Sequence, residues 1–130
     1  MGLEQRVLFS VRQTPPWQAV SALLSQSGFP VVLRMIDGQL AFPDEIPGES
    51  WQELRLGTPQ GMVTVRREAD QVSFRTWGNA DGSQLEAWNA LAWGFAEAGG
   101  GQILTGEGPV TAAEFQRTAR LPDALREKGS

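Results

Sequence analysis

The 130-residue chain contains no histidine, no cysteine and no tyrosine, and its one lysine, Lys128, stands near its end. Each absence closes a class of chemistry. Without histidine or cysteine there is no Ser-His or Cys-His nucleophile pair, no His/Cys zinc site and no imidazole base titrating near neutrality. Lys128 falls in a terminal stretch, the wrong place for the desolvated amine that Schiff-base chemistry needs. Disulfides are impossible, so the redox compartment is not readable and a cytoplasmic location is the default expectation. Long apolar runs are lacking too. None approaches the roughly 20 residues of a membrane-spanning helix, and Met1 to Arg12 has no extended apolar centre of a secretory signal, so no membrane partner is expected.

Positive charge is also scarce. The formal net charge is −4, which gives no overall attraction to phosphate backbones, and nucleic acid is not an expected partner. The chemistry left is that of carboxylates, hydroxyls and arginines, and no catalytic residue is assigned. No cofactor is expected. With 41% hydrophobic and 20% charged residues, the composition is that of an ordinary soluble globular protein. At this length folding hides about two-thirds of the unfolded surface. A single α+β domain over residues 1–122 is expected, with 123–130 as a frayed tail.

Periodicity sets the elements. Leu3 to Gln13 alternates apolar and polar residues and predicts a strand. Thr14 offers a cap and Pro15-Pro16 a first turn for an amphipathic helix carrying Trp17, Val20, Leu23 and Leu24, which Gly28 and Pro30 stop. Pro30 to Ile36 reads as a strand, Asp37-Gly38 as a tight hairpin with positive φ at both positions, and Gln39 to Phe42 as the returning partner. Pro43 to Ser50 has no period and reads as a loop. Trp51–Leu56, Gly61–Arg67 and Gln71–Trp77 are three more strands. Ser83 and Glu86 form a capping pair that opens a second helix, ending near Ala98. Gln102–Thr105 is a last short strand. Thr111 and Glu114 repeat the capping pattern and open a third helix that Pro122 stops. The predicted architecture is an antiparallel or mixed sheet of about six or seven strands, with two main helices on one face and a short C-terminal helix. It resembles an elaborated ferredoxin-like arrangement in architecture alone.

Gly99-Gly100-Gly101 invites comparison with a phosphate loop, but the glycines follow a helix end, where carbonyls rather than N–H groups point outward. They read as a left-handed stop and a sharp turn. Thr105 to Thr111 lacks the lysine and spacing of a P-loop, and Glu107 would repel phosphate, so it reads as a connection of turn residues. The acids Asp44, Glu45 and Glu49 have no fixed ligand spacing, and no metal is expected.

Trp93 is the unusual residue. At 100° per residue Leu85, Trp88, Leu91, Ala92, Phe95 and Ala96 gather on one side of the second helix, while Trp93 falls among Glu86, Asn89 and Glu97. Either the third helix, through Phe115 and Leu121, covers this indole, or Trp93, Glu86, Asn89 and Glu97 form an interaction surface for a protein partner or a second copy. Trp51 and Trp77, with Arg75, Arg34 or Arg55, are candidates for a pocket accepting a small acid. The leading expectation is a non-catalytic protein-binding or regulatory domain, as a homodimer or as the neutralising partner of another bacterial protein, its acidic charge steering it to a basic partner. The competing expectation is a ligand carrier or enzyme with a pocket between helices and sheet, using Glu53, Glu68 or Glu86 as base.

Overall fold

Alternating strands require one covered and one uncovered face, and a helical layer supplies the cover. A computed structural model of the chain describes residues 2–9, 14–48, 50–68, 71–77, 82–105 and 108–126, with the backbone alone at 2–4, 77 and 83. Among these residues eight strands form one antiparallel sheet. They are β1 (Gly2–Leu8), β2 (Val32–Ile36), β3 (Gln39–Leu40), β4 (Glu53–Thr58), β5 (Gly61–Arg67), β6 (Gln71–Trp77), β7 (Gln102–Thr105) and β8 (Gly108–Thr111). Their order across the sheet is β3-β2-β4-β5-β6-β1-β7-β8. The helices are α1 (Trp17–Gln26), α2 (Gly82–Gly99) and α3 (Ala112–Thr118). The fold is therefore α+β.

The covered face follows from period 2. Val7 pairs with Val72 and Ile103, Phe74 with Val65, Leu54 with Val65, and Leu56 with Val63 and Leu33. All of these side chains are buried, in one apolar cluster with the helices. Phe95 of α2 is its hub: its ring lies 5.3 Å from Phe74, 6.2 Å from Trp17 and 6.5 Å from Trp51. Aromatic rings at such separations gain contact beyond the area they bury.

Turn chemistry behaves as the residues require. Asp37 and Gly38 have φ of 49° and 83°, as the hairpin demands. Asp37 adds a reason of its own, since Oδ1 accepts the backbone N–H groups of Gln52 and Glu53 at 2.8 Å each. The glycine run closes α2 and bears no sign of a phosphate loop. Gly100 takes φ of 68°, Gly101 N donates to Ala96 O at 3.0 Å, and a Cβ on Gly101 would stand 2.8 Å from Leu8 O and from the Val7 and Phe9 side chains.

Several expectations need correction. The sheet has eight strands, not six or seven, because Gly108–Thr111 pairs with β7 instead of forming a plain connection. Its proline is tolerated because β8 is an edge. The order also departs from the ferredoxin-like expectation in its first half. There α1 carries the chain past β6, β5 and β4 to reach β2, whereas β6-α2-β7 straddles β1 alone. Thr14 does not cap α1: Pro16 holds the N-cap position with no side-chain bond. Thr111 does cap α3, accepting Glu114 N at 3.2 Å. The Ser83 hydroxyl lies outside the described residues, as do residues 10–13 of the first expected strand. Asp123–Leu125 forms a 3-10 turn with Leu125 buried, so this part of the expected frayed tail is docked; 127–130 lie outside the described residues.

Candidate functional site

Three different parts of the chain cover α2. Toward the sheet, Trp88 Nε1 donates to Phe74 O at 2.8 Å, and the Gln84 amide donates to Thr76 Oγ1 at 2.7 Å and to Met62 O. Toward α1, Phe95 stacks on Trp17 and a Cβ on Gly94 would come 3.1 Å from Leu24; its absence lets the two helices approach. The third side meets the segment after β8. Asn89 Nδ2 donates to Arg120 O at 2.8 Å. Glu86 Oε2 accepts Arg120 Nε at 3.1 Å and pairs with Arg126 at 3.7 Å, while its Oε1 accepts Gln60 Nε2 at 3.0 Å.

Trp93 lies on this third side and is 5% exposed. The structure does bring Trp93, Glu86 and Asn89 onto one face, with the indole buried and Glu86 and Asn89 half-buried. Phe115, Leu121 and Leu125 are buried in the same cluster, and the polar ring around the indole is engaged with Arg120, Arg126 and Gln5, whose Nε2 donates to Asn89 Oδ1 at 2.9 Å. Glu97 alone of the four is exposed. The expectation of an indole offered to a partner gives way to internal cover. From Ala90 to Ala96 every residue of α2 is buried, as befits a helix that is apolar all round. Among the described residues the Trp93 Nε1–H has no partner, a defect costing about 1–3 kcal/mol.

The expected pocket residues do not converge. Trp51 is buried against Phe95 on the helical side, with the Arg67 guanidinium 4.5 Å from its ring centroid. Arg75, between buried Phe74 and Thr76, is exposed on the opposite face. The Trp77 side chain is outside the described residues. The candidate bases are engaged elsewhere: Glu53 pairs with Arg66 at 3.5 Å, Glu68 accepts Gln71 Nε2 at 2.7 Å, and Glu86 holds the C-terminal segment. Among the described residues no three acids converge as cation ligands would, and no helix is long and apolar enough to cross a membrane.

The apolar side chains left uncovered lie elsewhere. Leu40, Phe42 and Ile46 are 88%, 75% and 66% exposed, three large side chains within seven residues where the chain leaves β3. They have no layer to enter because β3 is a two-residue edge strand and Pro43 and Pro47 interrupt any continuation. Glu45 Oε1 accepts Phe42 N at 3.2 Å and Glu45 N donates to Phe42 O at 3.0 Å, which fixes the turn that presents them. A cleft of about 330 Å³ beside them is lined by Ile36, Asp37, Gln39, Leu40 and Glu45. Between residues 37 and 50 the sequence has four acids, Asp37, Asp44, Glu45 and Glu49, and no base. The signal was present in the sequence as apolar residues flanked by prolines and acids, a place where no strand can bury them. No protein-family model matches the chain, and no curated protein or solved structure matches it.

Proposed function

We propose that this chain is a non-catalytic protein-binding domain that docks a basic, partly apolar segment of a partner on the lip of Leu40, Phe42 and Ile46. The observation that carries this reading is the exposure of those three side chains in a stretch with four acids and no base. Uncovered apolar clusters rimmed by polar groups mark protein contacts, because a partner removes their surface from water. The acids choose the partner's sign, steering basic segments in and repelling acidic ones. The cleft beside the lip accepts a side chain and places Asp37 and Glu45 next to it. Binding without chemistry suits a regulatory or neutralising role, and the engaged positions of Glu53, Glu68 and Glu86 favour it over a carboxylate enzyme.

The test is a titration of the isotopically labelled chain with a synthetic peptide of alternating arginine and leucine, followed by amide chemical shifts. Shifts centred on Gly38 to Ile46 are expected, with affinity falling about tenfold or more in Leu40→Asp/Phe42→Asp, a loss of roughly 1.4 kcal/mol or more. Shifts confined to other regions, or none, would contradict the reading.

A further inference from the structure

The sheet face away from the helices is where the chain concentrates its positive charge. Buried Val72 and Phe74 point inward, so Ser73 and Arg75 of β6 face outward. By register Ser73 stands between Arg6 of β1 and Arg66 of β5, and Thr64 of β5 between Arg75 of β6 and Arg55 of β4. Arg34, at the bulge of β2, lays its side chain beside Gly57, with Nε 3.1 Å from the point a Cβ there would occupy, on the same face. Arg6, Arg34, Arg55, Arg66 and Arg75 are all exposed. Five of the chain's eleven cations thus share one face of a protein whose net charge is −4.

Two rows repeat one arrangement, a hydroxyl flanked on both sides by arginines. Strands stand about 4.8 Å apart, so the two arginines of a row straddle their hydroxyl at roughly 10 Å. Ser73 is 4% exposed and its Oγ is buried with no hydrogen-bond partner among the described residues. Among the described residues the helices pack on the other side of the sheet. A buried hydroxyl without a partner is a place for an acceptor that the fold does not itself supply.

We infer that this face binds an extended acidic polypeptide segment with a carboxylate at every second residue. One carboxylate accepts from Ser73 Oγ between Arg6 and Arg66, and the next meets Thr64 between Arg75 and Arg55. Diagonal neighbours on adjacent strands are about 7–8 Å apart, close to the roughly 6.8 Å between alternate residues of an extended chain. The contacts of Arg66 and Arg55 leave room for this. The Arg66–Glu53 pair, at 3.5 Å with side chains 48% and 34% exposed, is a surface pair that contributes little. Arg55 touches only the Met35 sulfur, at 3.9 Å, among its described contacts. Arg6 and Arg75 already interact within the fold, and Glu4 stands opposite Arg75 in the register; the segment's carboxylates share these guanidiniums, which donate several bonds each. Single-stranded nucleic acid is the weaker occupant, because a chain of net charge −4 has no overall attraction for a phosphate backbone, whereas the spacing of the two rows matches alternate residues of a polypeptide.

Fluorescence anisotropy with a labelled peptide of alternating glutamate and threonine tests the inference on the full chain at low salt. Controls are the same composition with its glutamates contiguous, and a thymidine oligonucleotide. The alternating peptide is expected to bind about tenfold more tightly than either control and to weaken as salt rises. Arg66→Gln/Arg75→Gln is expected to cost about tenfold with an unchanged urea midpoint, and Ser73→Ala about threefold with a midpoint that holds or rises, since an orphaned hydroxyl is removed. Leu40→Asp leaves this binding intact, which separates the inference from the lip's role. Absence of binding, indifference to the variants, equal binding of the contiguous peptide, or tighter binding of the oligonucleotide would each overturn it.

Discussion

Helix α2 and the lip after β3 treat their apolar residues in opposite ways. In α2, Trp93 sits among polar neighbours and is buried; at the lip, Leu40 and Phe42 continue an apolar strand pattern and are exposed. The difference lies in what surrounds each element. Three layers meet around α2: the sheet, α1, and the segment from α3 to Leu125. The lip stands at the end of a sheet whose last strand is two residues long, and among the described residues no element covers it. Apolar residues enter the core only where the topology supplies a second surface.

The comparison breaks most easily at Phe95. Its ring contacts Phe74, Trp17 and Trp51, and Phe95→Ala is expected to lower unfolding free energy by about 3–5 kcal/mol through lost transfer and a residual cavity. A urea midpoint measurement checks this. A loss below 1 kcal/mol would mean that α2 is not the centre of the core.

A smaller effect sharpens the account of Trp93. Its ring is buried, but among the described residues its Nε1–H is unpartnered. Trp93→Phe removes the orphaned donor and part of the ring together, so the two terms oppose. The expected change is within about 1 kcal/mol, against about 3–5 kcal/mol for Trp93→Ala. Equal losses in both variants would show that the N–H has an acceptor in solution.

Much of the fold is legible in the residues. Val63, Val65, Val72 and Phe74 alternate cleanly, and β5, β6 and β7 fall on their expected spans. Asp37-Gly38 and Thr111 act through local chemistry that needs no knowledge of the rest of the chain. Features set by distant contacts are hidden. Trp93 is buried on the face where Glu86 and Asn89 meet Arg120, a residue distant in sequence that follows β8, and β8 itself is hidden by a glycine and a proline that read as a turn. A helical wheel detects one apolar side, but a second cover met by a lone indole leaves no periodic signal. The outward arginines follow from period 2 within each strand; their alignment in rows follows from the register, which no single strand reveals.

The central claim is that the lip is surface of the folded chain and a docking site, whereas α2 is core. The most direct measurement is the urea midpoint of Leu40→Asp/Phe42→Asp/Ile46→Asp, read beside its affinity for the arginine-leucine peptide. The account predicts stability within about 0.5 kcal/mol of the parent, as for surface substitutions, with peptide binding gone. A loss of several kcal/mol, or unaltered peptide binding, would contradict it.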